Sequence, residues 1–333
     1  MIKFGVLGVG NEWDSTFQPA LQQLRQRVQV RAIFDPVSAR AMMAGRQLQA
    51  MLCDSVTSLL SLRELDAILV LNSSWYGESL LQFLLHFEKP CFLASNISVR
   101  RKSLRKMHGV AISQGQTLMP ALKMRYTPSS GRLQELMETT LGPPSQIEVQ
   151  IPGNLATCTS SDKILCPQDE MVVCLFDWCQ HILKAVPLLV SPRDPVHTIQ
   201  LDEVNRSFQI SYSPCRRKNA DSTSMTPQLI LNFMPVDQNT TEFPRIEVTC
   251  SHGKAVLPDA THIEWNTENV SERESLVSDR SEFEVMLDHF CRRVVGGLIP
   301  VADLADYERS LRLHQAYKLS RERESSVSLL GKS

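Results

Sequence analysis

Residues 2–13, IKFGVLGVGNEW, open the chain as an apolar run that passes straight into a glycine turn, and the reading of that turn decides the fold. Phe4, Val6 and Leu7 suit a strand buried on both faces of a parallel sheet. Gly8 and Gly10 take the first two places of a G-x-G-x-x-G pattern, and Trp13 takes the third. The first glycine allows the tight turn, the second lets backbone approach a pyrophosphate, and the third permits close helix–strand packing. Two of those needs are met. Asp35 closes the next apolar run, where a carboxylate accepts hydrogen bonds from a ribose diol and repels a 2′-phosphate. The expected ligand is NAD or NADP, with NAD favoured by Asp35 and that preference softened by Arg40. The alternative is an ordinary βα turn followed by an Asp-Pro turn, and Trp13 is its best support.

Outward from this turn, short β-rich runs alternate with helical patterns, the mark of βαβ units and a parallel sheet. Strands are predicted at Lys3–Leu7, Val28–Phe34, Ala67–Leu71, Cys91–Ala94 and Thr117–Met119. Helices are predicted at Thr16–Arg27, Ser38–Met51, Glu78–Phe87 and Arg100–Ser113. After Pro120 the pattern changes. A helix over Ser129–Thr140 stops at Gly142-Pro143-Pro144. Strand-like runs follow at Gln146–Ile151, Val196–Asp202, Ser207–Tyr212, Gln228–Phe233, Arg245–Thr249 and Ala255–Leu257, with helices at Asp169–Leu189, Glu282–Val294 and Ala302–Ser320. Strands in succession favour an antiparallel sheet. The expected architecture is an α/β Rossmann domain over 1–121 and an α+β domain with a mostly antiparallel open sheet over 122–333. No internal repeat is present, and the tail after Arg321 reads as Ser-rich and charged.

With 333 residues and a net charge of −1, the chain offers no general attraction to nucleic acid or to an anionic membrane. Nine cysteines, scattered without a CxxC or a zinc-ligand spacing, suggest reduced thiols. The N-terminus lacks the regions of a signal peptide, and the longest apolar region, 67–87, is broken by NSSWYGES. A soluble, cytoplasmic protein without a metal centre is expected.

In FDWCQHIL, Asp177 and His181 are spaced i and i+4, so that a carboxylate can fix the tautomer of an imidazole and raise its basicity for acid–base work. Such a pair is more often part of a helix surface or a satisfied core. Lys123, Arg125 and Tyr126 lie where the chain leaves the last parallel strand, at the sheet edge where ligands bind; a solvated linker is the plain alternative. The basic run Arg100–Lys106 reads as a solvated helix face. Trp75 and Tyr76, in the loop after Ala67–Leu71, would pack on a cofactor or on each other.

These segments, in this order, resemble the glucose–fructose oxidoreductase, inositol dehydrogenase and MocA (Gfo/Idh/MocA) family over nearly the whole chain. The resemblance rests on KFGVLGVG, RAIFDP, LDAILVLNSS, KMRYTPSSGRLQELMETTLGPPSQIEVQ, DWCQHIL, RIEVTCSHGKAVLPD and SEFEVMLDHFCRRVVGGLIPVADLADYERSLRLHQAYKLS. It implies a nicotinamide-dependent oxidoreductase acting on a sugar, polyol or related hydroxyl compound, and an oligomer formed through the C-terminal sheet. It gives His181 the hydroxyl proton and Asp177 an orienting role, with Asn96 or Lys123 positioning substrate. The expected cofactor contacts are Gly8, Gly10, Asn11, Glu12, Trp13 and Asp35, with Asn72, Ser73, Ser74 and Ser95 at the ends of later strands. Where the family carries Glu-Lys-Pro after the fourth strand, this chain reads Ser95-Asn96-Ile97; Asn96 can donate a hydrogen bond but cannot carry a proton. MVVCLFD likewise replaces a glycine-rich run before Asp177. A second expectation follows from these departures: a fold that keeps its shape and binds a ligand or partner without hydride transfer. Non-redox lyase or hydrolase chemistry through a retained cofactor is a third.

Overall fold

The structure is a computed structural model that describes residues 1–73, 75–94, 101–152, 167–193, 207–213, 226–234 and 243–329. It divides into two compact units. Among the described residues the first comprises Met1–Lys123 and Arg280–Glu308, and the second holds the remainder. A simple cut at 121/122 therefore omits the return of the chain to its opening unit.

In the first unit β1 (Ile2–Leu7), β2 (Val28–Phe34), β3 (Met51–Leu52), β4 (Ala67–Val70), β5 (Cys91–Leu93) and β6 (Leu118–Pro120) form one parallel sheet in the order β3-β2-β1-β4-β5-β6. The crossovers carry α1 (Gln18–Gln23), α2 (Ser38–Leu48), α3 (Val56–Leu60), α4 (Glu78–His86) and α5 (Arg101–Gln114). The helix predicted from Thr16 instead begins as a turn of π-helix at Trp13–Phe17 before α1. β3 and α3 are additions to the expected set; β3 is a two-residue, exposed strand with no apolar alternation to announce it.

The second unit begins with α6 (Pro128–Leu136), β7 (Pro144–Pro152), α7 (Pro167–Leu183) and β8 (Pro187–Arg193). It continues through β9 (Ser207–Tyr212), β10 (Gln228–Met234), β11 (Arg245–Cys250), β12 (Gly253–Leu257), β13 (His262–Asn266) and β14 (Ser271–Ser275). The chain then forms α8 (Glu282–Val294), which belongs to the first unit, α9 (Leu304–Arg323) and β15 (Val327–Ser328). The sheet order is β14-β13-β12-β11-β7-β10-β9-β8-β15; every pair is antiparallel except β7 with β10. The helix expected over Asp169–Leu189 ends at Leu183, because Lys184 turns left-handed (φ 49°) and Pro187 cannot continue a helix. Its apolar tail, Leu188–Val190, lies in β8 instead. The strand expected at Val196–Asp202 lies outside the described residues.

Each unit has its own core. In the first, α8 lays Phe283 and Phe290 onto Phe92, with ring centroids 5.4 and 5.8 Å apart, and Phe283 also meets Phe17 at 4.7 Å. The buried Asp288 on the same helix holds Arg27 and Arg292, tying the helix to the loop before β2. In the second, alternate residues of β7, β10 and β11 (Ile147, Val149, Leu229, Leu231, Ile246, Val248) share one buried cluster with Phe176 of α7 and Tyr317 of α9. The opposite face is polar. There Asn232 accepts from the Ser207 hydroxyl and donates to Glu148, and Lys254 pairs with Glu247.

Candidate functional site

The carboxyl ends of β1, β2 and β4 meet at one edge of the parallel sheet. Gly8 N–H donates to Phe34 O at 2.8 Å and Leu71 N–H donates to Leu7 O at 3.0 Å, which fixes the turn between its two neighbours. Gly8 and Gly10 have φ of 72° and 71°, the left-handed region that favours glycine. A Cβ on Gly8 would run into the Asn72 carbonyl, and one on Gly10 would sit 3.4 Å from Asn72 Cβ. Asn72 thus packs directly on the turn, and Ser73 beside it is buried.

Asp35 is also at this edge, but its carboxylate serves the fold as well as any ligand. Val9 N–H donates to Oδ2 and Val37 N–H to Oδ1, both at 2.7 Å, and the residue is 5% exposed. Each oxygen keeps capacity for a further donor. On the outer side of the turn, Arg40 donates to Asn11 Oδ1 at 3.2 Å, so its guanidinium stands beside the glycine loop. Glu12 makes no side-chain cap on the helical turn that starts at Trp13, and the first backbone N–H groups of such a turn lack partners within the helix.

Trp13 does not lie on this surface. It is 1% exposed and its indole N–H donates to Gln47 Oε1 of α2 at 2.6 Å. The side chain that replaces the third glycine is therefore core packing. Ser74, Ser95 and Asn96 lie outside the described residues.

In the second unit the structure joins two residues that the sequence leaves 52 positions apart. Arg125 Nε donates to Asp177 Oδ2 at 2.7 Å and Nη2 to Oδ1 at 2.6 Å. Both oxygens of the carboxylate expected to orient the His181 imidazole are held by one guanidinium. His181 is half-buried on the last turn of α7. Lys123, expected to orient substrate, is exposed at the first residue of a 3₁₀ turn and is grouped with the first unit.

A second buried cluster in this unit joins α7 to α9. Asp169 on α7 accepts from His314 Nε2 at 3.0 Å and from Lys318 Nζ at 2.9 Å. Burial pushes the Asp169 carboxyl up, but the two donors outweigh it and bring it down to about 2. Among the described residues no group of three His, Cys, Asp or Glu side chains is placed to hold a metal, and no helix is long and apolar enough to cross a membrane.

Residues 2–121 match the Gfo/Idh/MocA family, described as an oxidoreductase family with an NAD-binding Rossmann fold. The first unit carries the Gfo/Idh/MocA domain. Solved structures extend the likeness of fold from this domain to the whole chain. UDP-N-acetylglucosamine 3-dehydrogenase GnnA from Acidithiobacillus ferrooxidans superposes with a TM-score of 0.73 at 15% identity, covering 97% of this chain and 98% of its own. An oxidoreductase from Agrobacterium radiobacter in complex with NAD+, L-tartaric acid and magnesium gives 0.75 at 13% identity over 98% of each chain. An oxidoreductase from Thermotoga maritima gives 0.73 at 16% identity, again over 98% of each. At such identities the likeness is one of fold. No curated sequence matches the chain.

Proposed function

We propose that the chain is a nicotinamide-dependent oxidoreductase acting on a sugar, polyol or related hydroxyl compound. The observation that carries the reading is the turn itself: two left-handed glycines held against Asn72, with the Asp35 carboxylate behind them. Gly8 and Gly10 allow a pyrophosphate to approach the backbone, Asn11 and Glu12 line the start of the helix, and Asp35 faces the ribose. A nicotinamide bound there would supply hydride transfer. The chain's own part is to hold it and to move the hydroxyl proton, a task for which His181 is the candidate base. Arg125, on the turn after β6 and clamped to Asp177 of the helix that carries His181, offers a fixed positive charge, a role that Asp177 supports through the guanidinium. Asn96 and Lys123 remain the proposed substrate-orienting groups.

Two proteins that share the fold, a UDP-N-acetylglucosamine 3-dehydrogenase and an oxidoreductase in complex with L-tartaric acid, favour a small hydroxyl-bearing substrate. The polar outer face of the second sheet suits a homo-oligomer interface, and a net charge of −1 argues against nucleic acid or a membrane surface as partner. A cytoplasmic setting fits the scattered cysteines.

A second reading has its own observation. Both oxygens of Asp177 accept from Arg125, a fixed ion pair that equally suits a ligand-binding module performing no hydride transfer. Titration of the purified protein with NADH and with NADPH, followed by fluorescence, tests the first step. Saturable binding followed by turnover on a panel of sugars, polyols and hydroxy acids, lost by roughly 10²–10⁴-fold in His181→Ala, supports the oxidoreductase. Binding without turnover favours the module, and no binding at millimolar nucleotide sinks the oxidoreductase and leaves a module for another ligand or partner.

A further inference from the structure

The loop after β4 carries a polar group that the proposed roles do not use. Tyr76 N–H donates to Ser73 O at 3.1 Å, turning the loop back just after Asn72 packs on the glycine turn. The Tyr76 hydroxyl is buried and has no hydrogen-bond partner among the described residues, an exception in folded proteins and a costly one. Its neighbour Trp75, by contrast, is 63% exposed.

The sheet order places β1 between β2 and β4, so Asp35 and Tyr76 leave the sheet on opposite sides of the Gly8–Gly10 turn. They nevertheless act on each other. Burial, and after it the charge of Asp35, pushes the Tyr76 phenol up to about 12, so the group is a hydroxyl donor throughout the neutral range. The two groups are thus near enough for their charges to interact, with no hydrogen bond between them. Asp35 for its part has accepted one backbone N–H on each oxygen and has room for more donors.

One ligand chemistry completes both groups. A vicinal diol can donate one hydroxyl to a carboxylate oxygen while the oxygen of a hydroxyl accepts from a phenol. We propose that Tyr76 is a ribose-binding residue of the dinucleotide site, its hydroxyl donating to the diol that Asp35 accepts from. The assignment rests on reading this edge as a dinucleotide site. It adds a contact from the β4 loop that the glycine fingerprint does not contain, and it selects for an unmodified diol because a 2′-phosphate would bring further negative charge against Asp35.

The test is calorimetric titration of wild type and Tyr76→Phe with NADH, ADP and 2′,3′-dideoxy-ADP, with thermal unfolding of both proteins as the fold control. Phenylalanine keeps the ring and removes only the donor. The expected result is a loss of about 5- to 10-fold in affinity for NADH and ADP and no change for the dideoxy nucleotide. On the wild type alone, the dideoxy nucleotide must bind more weakly than ADP by at least the same factor, a requirement that needs no variant. Unchanged binding of NADH by Tyr76→Phe overturns the assignment and leaves the site reading intact. So does tighter binding, which would make the phenol an obstruction, or an equal loss for the dideoxy nucleotide, which would make it packing. A wild type that binds none of the three nucleotides overturns the site reading and this assignment together.

Discussion

Arg125 holds both carboxylate oxygens of Asp177, at 2.7 and 2.6 Å, with the two side chains 13% and 2% exposed. The pair joins the turn that follows β6 to the middle of α7 and is shielded from water on both sides. A buried ion pair contributes little net stability over an apolar replacement, but removing one partner leaves an uncompensated charge. Arg125→Met is expected to lower the unfolding free energy by about 3–5 kcal/mol, and the double change Arg125→Met with Asp177→Leu to recover most of that loss. Urea denaturation of the three proteins checks it. A single variant as stable as wild type would mean that Asp177 finds another partner.

The same pair shows how far the sequence carries. The glycine turn, the first unit's strands β1, β2, β4, β5 and β6 with the longer helices between them, and the apolar face of α8 follow from periodicity and from the punctuation of glycine and proline, because each is a local property of the chain. The apolar run ILKAVPLLV reads as continuous helix to Leu189, but Pro187 cannot continue it, and the chain passes into β8. β13 and β14, HIEWN and SERES, carry too much charge to read as strands, and become so by pairing with each other and with β12. The Arg125–Asp177 clamp and the Asp169 cluster were not legible at all, since nothing local marks residues that meet only after folding.

Asp35 carries two loads, and its substitution will report both. Its oxygens accept backbone N–H groups from Val9 and Val37, so the carboxylate holds the glycine turn to the end of β2. Asparagine offers one acceptor oxygen and an NH₂ group, which would face one of those donors. Asp35→Asn is expected to cost about 1–3 kcal/mol of stability and to weaken NADH binding in the same protein. Thermal unfolding measured beside the nucleotide titration separates the two. Weaker binding at unchanged stability would show that the backbone bonds carry no weight.

The Asp169 cluster sets an acid limit for the second unit. Its carboxyl is held at about 2 in the folded state, below the ordinary 3.8. A group with a depressed folded pKa contributes stability that is present above the unfolded value and lost as pH falls through the folded one. The contribution of Asp169 is therefore complete at neutral pH and disappears between about 3.8 and about 2. Asp169→Asn is expected to lose on the order of 3 kcal/mol at pH 7, where His314 and Lys318 are left without their acceptor. The urea midpoints of wild type and variant should converge as pH is lowered through that window. A gap that stays constant to pH 2 would remove the carboxylate as its cause.

Trp13 is the residue on which sequence and structure part most clearly. By position it stands where a third glycine would let helix and strand close together, and a bulky side chain there argues against a dinucleotide site. In the folded unit the indole turns inward, 1% exposed, and its N–H is taken by Gln47. The chain answers the packing need in another way: the helix opens with a π turn at Trp13–Phe17, a local widening that gives a large side chain a place in the core. Restoring the fingerprint with Trp13→Gly should therefore remove core volume and cost about 3–5 kcal/mol without improving nucleotide affinity. Trp13→Phe, which keeps most of the volume and loses the indole donor, should be destabilised by about 1–2 kcal/mol and bind NADH as wild type does. Thermal unfolding and the NADH titration read the two effects separately. If Trp13→Gly binds NADH more tightly, the indole does obstruct the pyrophosphate, and its burial is not what releases the turn for a ligand.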